Sequence, residues 1–592
     1  MNRIEKLLYI FKNICQMRIN TILVYILSIA VMGLAPVVQL KVLEKIIEVV
    51  DKLIQVGLEA SYVKEGIFLI IVEGIIFIAI NMIDNISELI NNALVLNIQH
   101  NTKTVIAKKM KSIELEFFDD PALLDLYETC VTQVDSSITE MVNLLTAAAT
   151  TVIGFGGYFG LIFGVNKLAI VIIIVATLPM MILKIHLKRR YYSFIIENTK
   201  SNRKKDYYFD VLTKKEYFNE QKLHDVTNFF LDKREAEFKQ YFNKNIKLNL
   251  RGCIEAFFAN LIGRSGAIAC IIWIFYDCIL GKFHIAKFTS VFYAIISIQD
   301  SFEAVFNILS TSYESFLYFD LFFEFIQYNS DKSVGTKEFI QDNAIQIEFS
   351  HVSFKYYGAE HYVLRDISFK ISGNGLFVVV GENGSGKSTI MKLLLRLYKP
   401  EEGKILINNI DIQEYNQSEI KKMFSPMFQD YNKYAMSLKD NIMVSDLEKK
   451  QYFEEIIEEK EFSDINRISK SLPKKYETEL TKFFDKEGVE LSTGQWQRVA
   501  IARSMFKDAN VLIWDEPLAS IDALSKNEMM TMIDEKRKNK TVIVISHNFD
   551  ITENADKIFV FGDGKLLAVG THEELMISCI NYSSMYIKQL DN

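Results

Sequence analysis

Nine residues, GENGSGKST at Gly381–Thr389, carry the densest chemistry in the chain. They follow an apolar run, LFVVV, and precede a helical pattern, IMKLLLRLY. A phosphate-binding loop requires this strand–GxxxxGK[ST]–helix context. Its glycines, Gly381, Gly384 and Gly386, let the backbone close around phosphates, so that successive N–H groups form an anion nest. The start of the following helix adds partial positive charge. Lys387 is placed to reach the β- and γ-phosphates, and the Ser388 hydroxyl to ligate Mg²⁺. Asn383, Ser385 and Thr389 complete the candidate loop. A second apolar strand, VLIW, ends in Asp515 and Glu516. An acid at the end of a buried strand can hold Mg²⁺ through water, which fits Asp515. Glu516 would then stand beside an attacking water as general base or water-positioning carboxylate. The bland alternative is an ordinary strand-end turn, and the phosphate loop argues against it.

These groups need an α/β scaffold, and the second half of the chain supplies its pattern. From about residue 343 onward, short strand-like runs (IQIEF, GLFVVVG, VLIWDE, TVIVIS) alternate with amphipathic helical stretches. That is the signature of a mostly parallel sheet.

The first half is different in kind. The chain has 592 residues, 49% of them hydrophobic, and a net charge of −7. Such a length calls for two or more domains. The mean hydropathy of +0.11 is high for a soluble enzyme and points to membrane content. Six apolar segments precede residue 330, at about 21–38, 66–80, 141–164, 168–183, 256–280 and 288–309. Each is about the length needed to cross a bilayer of ~30 Å. Mixed-charge stretches separate the second span from the third and the fourth from the fifth. They read as long helical extensions rather than inserted soluble domains, because no Gly/Pro-rich boundary marks them. Seven prolines in the whole chain suit long helices. The amphipathic start, with Arg3, Lys6, Lys12 and Arg18, lacks the short apolar region and cleavage site of a signal peptide. Lys184, Lys188, Arg189, Arg190, Arg203, Lys204 and Lys205 after the fourth span place that segment, the N-terminus and the second half in the cytoplasm. Glu73, Asp84, Arg264, Asp277, Asp300 and Glu303 lie in or near the spans. They read either as helix-pairing charges or as contacts in a wet cavity. The six cysteines show no metal-ligand spacing and read as small apolar residues. No long basic stretch marks a nucleic-acid partner.

Residues ~340–592 resemble the ATP-binding cassette of the ABC transporter superfamily. LSTGQWQR at Leu491–Arg498 is similar to the family signature LSGGQ, with Thr493 where glycine is usual. The resemblance implies that Ser492, Thr493, Gly494 and Gln495 bind the γ-phosphate held by another subunit, and that Thr493 weakens or retunes activity at most. Tyr356 in FKYYG matches the aromatic that stacks on adenine, with Tyr357 beside it as a competitor. Gln429 in MFQD matches the glutamine that touches Mg²⁺ and couples to the membrane domain. Asp522 in LASID matches an aspartate that communicates across the dimer. His547 in VISHN matches a histidine that contacts the γ-phosphate. With every catalytic position occupied, the resemblance implies an active ATPase using ATP and Mg²⁺.

Membrane domain before cassette resembles the exporter type (type IV), a half-transporter that works as a dimer. The implied architecture is an α-helical transmembrane domain at 1–328, a linker at 329–343 and an α/β cassette at 344–592. Glu116–Glu128 and the region around Lys214–Lys222 are the candidate coupling helices. A homodimer in a bacterial cytoplasmic membrane is expected, with a heterodimer as the alternative. MFQDYNKYAMSLKDNI and EGVELSTGQWQRVAIARS resemble exporters of lantibiotics and other ribosomal peptides, Trp496 included. The short stretch before the first span leaves no room for the leader peptidase that some of them carry. A lipid flippase or multidrug exporter is the second expectation. A membrane ATPase that senses without cargo is the third. A soluble cassette acting on ribosomes or DNA is excluded by the spans.

Overall fold

The computed structural model describes residues 19–328, 335–339, 345–519 and 523–590. The basic N-terminal stretch, most of the linker and Asp522 lie outside the described residues. The chain divides into two compact units, Met1–Ser112 with Asp125–Tyr328, and Ile113–Leu124 with Asn329–Asn592.

The first unit is helical. Its elements are α1 (Ile19–Val56), α2 (Ala60–Met110), α3 (Pro121–Phe163), α4 (Lys167–Glu197), α5 (Thr199–Thr213), α6 (Phe218–His224), α7 (Thr227–Ile279) and α8 (Ile285–Gln327). The first turn of α3 belongs to the second unit. At 1.5 Å per residue, the 51 residues of α2 run ~75 Å, more than twice a ~30 Å hydrocarbon core. The mixed-charge stretches thus continue as helix beyond the apolar lengths. Among the described residues five helices, α1 to α4 and α7, are long and apolar enough to cross a membrane, and the protein is a multi-pass membrane protein. The sixth expected span falls on α8, which forms as a helix but is not among those five. Its sequence carries Asp300 and Glu303 in mid-course. The second candidate coupling element forms as the short α6. The first is a 3₁₀ turn, Leu115–Phe118, running into the start of α3, rather than a separate helix.

In lipid, helices gain little from apolar contact alone, so small residues that allow close approach hold them together. A Cβ at Gly33 of α1 would lie 2.7 Å from Ile153 Cβ of α3, and one at Gly266 of α7 would lie 2.3 Å from Ala176 Cβ of α4. Beside these contacts Ile162, Ile173, Cys270, Ile274, Val291 and Ile295 form a common core of α3, α4, α7 and α8. Most charges near the spans are paired. Arg264 meets Asp300 at 3.0 Å, Lys282 meets Asp277 at 2.6 Å and Lys287 meets Glu44 at 3.3 Å.

The second unit has two sheets. One is antiparallel, in the order β2-β1-β4-β5, formed by β1 (Gln346–Phe354), β2 (Leu364–Ser372), β4 (Glu402–Ile407) and β5 (Ile410–Asp411). The other has six strands in the order β10-β9-β3-β8-β7-β6. They are β3 (Gly375–Gly381), β6 (Phe424–Met427), β7 (Val511–Asp515), β8 (Thr541–Ile545), β9 (Lys557–Gly562) and β10 (Lys565–Gly570). All pairs in it are parallel except β9 with β10. Strands β3, β7 and β8 are buried along their whole length, which explains their unbroken apolar runs. Alternate residues feed two cores. Val378, Trp514 and Val544 face one core, and Phe377, Ile513 and Ile543 face the other, shared with the antiparallel sheet.

Away from these strands, Asp464 on the helix Ser463–Ser471 pairs with Glu528 on the helix Ala523–Lys536. Burial, then the bond to Glu528, pushes Asp464 up to about 6. Arg467, then that same bond, holds Glu528 below its ordinary value. Asp464 therefore keeps the shared proton.

Two tests follow from this packing. Gly266→Leu should destabilise the helical unit by about 1–3 kcal/mol through overpacking, read as a lower thermal midpoint in nanodiscs. An unchanged midpoint would refute the close contact with Ala176. A carboxyl whose value is raised in the fold stabilises fully below its ordinary value, and that contribution is lost as pH rises through about 6. Asp464→Asn, which keeps a neutral donor, should match wild type below the ordinary value of 3.8 and melt a few degrees higher near pH 8. Equal midpoints at both pH values would contradict the assignment of the proton.

Candidate nucleotide site

The site sits at the carboxyl ends of the parallel strands, where α/β sheets bind ligands. The register aligns Val379 of β3 with Ile545 of β8, and Ile545 with Asp515 of β7. The loops leaving all three strands therefore emerge together. They line a cavity of about 480 Å³, walled among others by Gly384, Lys387, Ser388, Gln429, Glu516 and His547. Asn383, Gly386, Thr389, Tyr356 and Asp515 also line it.

The phosphate loop turns at two glycines with positive φ, Gly384 at 81° and Gly386 at 95°. A Cβ on Gly386 would also lie 2.6 Å from Leu364 Cδ2, so only glycine fits. Gly386 is the N-cap of the helix Lys387–Leu394. Lys387 is 8% exposed, and its ammonium is bonded at 2.8 Å to the loop's own carbonyls, Gly381 O and Glu382 O. Burial pushes Lys387 below its ordinary value, against the pull of Glu516 and Asp515. Ser385 Oγ is buried with no hydrogen-bond partner among the described residues. A desolvated cation and an unmet donor at one helix start make a cradle for anionic phosphate.

The acids lie opposite. Asp515 is raised by burial, against a hydrogen bond from the Ser388 hydroxyl. Ser388, Asp515 and Gln429 present hydroxyl, carboxylate and amide oxygen to the same cavity. That all-oxygen donor set fits Mg²⁺. Glu516 is 8% exposed. Its carboxylate accepts the His547 backbone N–H at 2.9 Å and meets His547 Nδ1 at 2.7 Å. Its φ of 55° is unusual for a residue with a side chain.

Of the adjacent tyrosines, Tyr356 lines the cavity, its hydroxyl 3.1 Å from Thr389 Oγ1. Tyr357 is 61% exposed and hydrogen-bonds Asp120 instead. The signature residues do not join the cavity within one chain. Ser492 and Gln495 form a reciprocal capping box at the start of the helix Thr493–Phe506. Thr493 is exposed as the first residue of that helix. It is not among the residues with positive φ, so no left-handed turn demands glycine there. Trp496 is a core residue, 1% exposed. Asp522 is outside the described residues.

Residues 364–519 match the family model for the ABC transporter. The whole fold superposes on a solved bacterial Atm1-family ABC exporter with ATP bound, at TM-score 0.80 and 19% identity, covering 96% of this chain and 99% of that one. Residues 364–519 thus match an ABC transporter domain, and the chain as a whole has the fold of an ABC exporter. The second unit contains that ABC transporter ATPase domain, which implies ATP as its ligand. Among curated relatives, the Bacillus subtilis subtilin transport ATP-binding protein is 28% identical over 93% of this chain and 89% of its own length. The Lactococcus lactis nisin transport ATP-binding protein is 25% identical over 88% and 87%. An ATP-dependent lipid A-core flippase of Haemophilus influenzae is 31% identical over 51% of each chain.

Two residues of this site were not singled out in the sequence. Gln497 donates from Nε2 to Glu516 O at 3.1 Å and to Pro517 O at 2.8 Å, tying the signature helix to the unusual backbone at Glu516. Tyr431, two residues after Gln429, donates to Thr493 O at 3.0 Å. Position after a motif was the only available signal for either. Gln497→Met removes both bonds, leaving Glu516 O to the Ala519 N–H alone and Pro517 O without its Gln497 donor, at about 1–3 kcal/mol. It should lower kcat for ATP hydrolysis more than it raises the KM for ATP. A variant with wild-type kcat would show that Gln497 does not hold Glu516.

Proposed function

We propose that two copies of this chain form a homodimeric, Mg²⁺-dependent exporter of a peptide across a bacterial cytoplasmic membrane, with N-terminus and cassettes in the cytoplasm. The observation that carries this reading is the breadth of similarity to the subtilin and nisin transport proteins, 93% and 88% of the chain. A lipid flippase is the second reading, favoured by the 31% identity to lipid A-core flippases.

In this reading the roles combine the residues of the cavity with those that the family resemblance implies. Tyr356 stacks on adenine. The loop N–H groups, Lys387 and Thr389 bind the phosphates, and Lys387 exchanges its loop carbonyls for phosphate oxygens. Ser388, Asp515 and Gln429 hold Mg²⁺, which when bound neutralises charge on the β- and γ-phosphates. Glu516 orients the attacking water and accepts its proton. His547 fixes the Glu516 carboxylate and reaches the γ-phosphate. Ser492, Thr493, Gly494 and Gln495 of the second copy close over the γ-phosphate, with Asp522 communicating between the copies. One chain holds half of each site, so ATP clamps the cassettes together and hydrolysis releases them.

The test is ATPase activity in lipid nanodiscs, for wild type and Glu516→Gln, across a panel of peptides and lipids. Wild type should hydrolyse ATP, and a peptide should change its rate. Glu516→Gln should lose at least ~100-fold in kcat while still binding ATP. Stimulation by lipid alone would favour the flippase. A wild type as inactive as the variant under every condition would overturn the homodimer.

A further inference from the structure

The helical unit contains a cavity of about 300 Å³ between α1, α2, α3 and α8. Its walls include Gln39, Glu73, Tyr158, Tyr293 and Ser297. Glu73 lies in the apolar run IFLIIVEGIIFIAI of α2, ~10 Å from either end of that run at 1.5 Å per residue. It is therefore near the middle of a span. A carboxylate at that depth is costly unless something compensates it. Three other acids near the spans have cationic partners. Asp300 has Arg264, Asp277 has Lys282 and Glu44 has Lys287. Glu73 Oε2 is buried with no hydrogen-bond partner among the described residues.

What surrounds Glu73 narrows the compensating group. Tyr158 is hydrogen-bonded to Ser297. Two tyrosine rings and a carboxylate around one space suit a cation, by charge pairing and by cation–π contact. A proton alone would need neither the aromatic walls nor this volume, which is at the lower end for ligand pockets. Pro36, on the α1 side of the cavity, interrupts the helical hydrogen bonds there, as helices lining cavities tolerate.

We propose that this cavity binds a cationic group of the exported molecule, a lysine or arginine side chain or an N-terminal ammonium, through Glu73. The inference rests on the peptide-export reading and names the chemistry that the cargo must carry.

The experiment uses the full chain in phosphatidylcholine nanodiscs and two fluorescent probes, a lysine-bearing amphipathic peptide and the same peptide with every amine acetylated. Affinities are compared for wild type, Glu73→Gln and Glu73→Asp, with the thermal midpoint of each variant as a check on folding. The lysine peptide should bind wild type at least ~10-fold more tightly than it binds Glu73→Gln. Glu73→Asp should recover part of the loss, and the acetylated peptide should not distinguish the three proteins. If Glu73→Gln binds the lysine peptide as wild type does, the site is wrong while the export reading stands. If wild type binds ATP but neither peptide, the peptide reading fails and the site fails with it.

Discussion

A single row of backbone partners, Val379–Ile545–Asp515, crosses three parallel strands and sets the position of every charged group in the nucleotide cavity. β3 runs two residues past this row, and β7 and β8 end in it. Ser546 N–H bonds Val379 O at 3.1 Å, and Glu516 N–H bonds Ile545 O at 2.9 Å. The phosphate loop, the two acids and the histidine thus leave the sheet at one height. A slip of one residue in β7 would turn Asp515 to the other face and put Trp514 in its place. Trp514 prevents this in two ways. It is fully buried, and its indole donates to Ser504 Oγ at 2.9 Å, a residue of the signature helix. The register is therefore held by the same side chain that joins the sheet to the signature.

Glu516 shows what this framework carries. A non-glycine residue at positive φ costs of order 1–3 kcal/mol, and it persists only where neighbours fix it. Here they do so from three sides, through the Ile545 carbonyl, the His547 backbone and ring, and the Gln497 amide. The result is a carboxylate fixed over the cavity rather than one that hydrogen-bonds its own loop. Asp515, one residue earlier and on the strand itself, needs no such bracing.

Groups whose chemistry is local were legible in the sequence. The phosphate loop is defined by nine consecutive residues, and Ser492 with Gln495 spells its own capping box. The buried strands were legible because burial on both faces leaves unbroken apolar runs. The antiparallel sheet was less so, because β2 (LRDISFKIS) buries only alternate residues and charges fill the rest. Gln497 and Tyr431 were illegible for another reason. Their partners lie 19, 20 and 62 positions away, and nothing in a linear reading states that distance in space. The choice between Tyr356 and Tyr357 likewise needed coordinates, since both are aromatic and only one faces the cavity. Glu73 was visible as a charge in an apolar run, but the cavity beside it and its buried Oε2, with no hydrogen-bond partner among the described residues, were not.

The segment Ile113–Leu124 shows how a short stretch between two long helices can belong to the cassette. Four acids, Glu114, Glu116, Asp119 and Asp120, give it its character. Tyr398 donates to Asp119 Oδ2 at 2.8 Å, and Lys399 N–H donates to Glu116 Oε1 at 3.1 Å. Tyr398 also packs edge-on against Tyr356 with ring centroids 5.3 Å apart, and Lys392 lies over both rings. Burial, then the bond to Asp119, pushes the Tyr398 hydroxyl well above its ordinary value. Tyr398 therefore stays protonated and remains a donor to Asp119 throughout the physiological range. The aromatic that lines the nucleotide cavity is thus two contacts away from the chain that links α2 to α3. A change in the ring position of Tyr356 reaches that chain through packed atoms and one charge-assisted hydrogen bond, with no flexible loop between them.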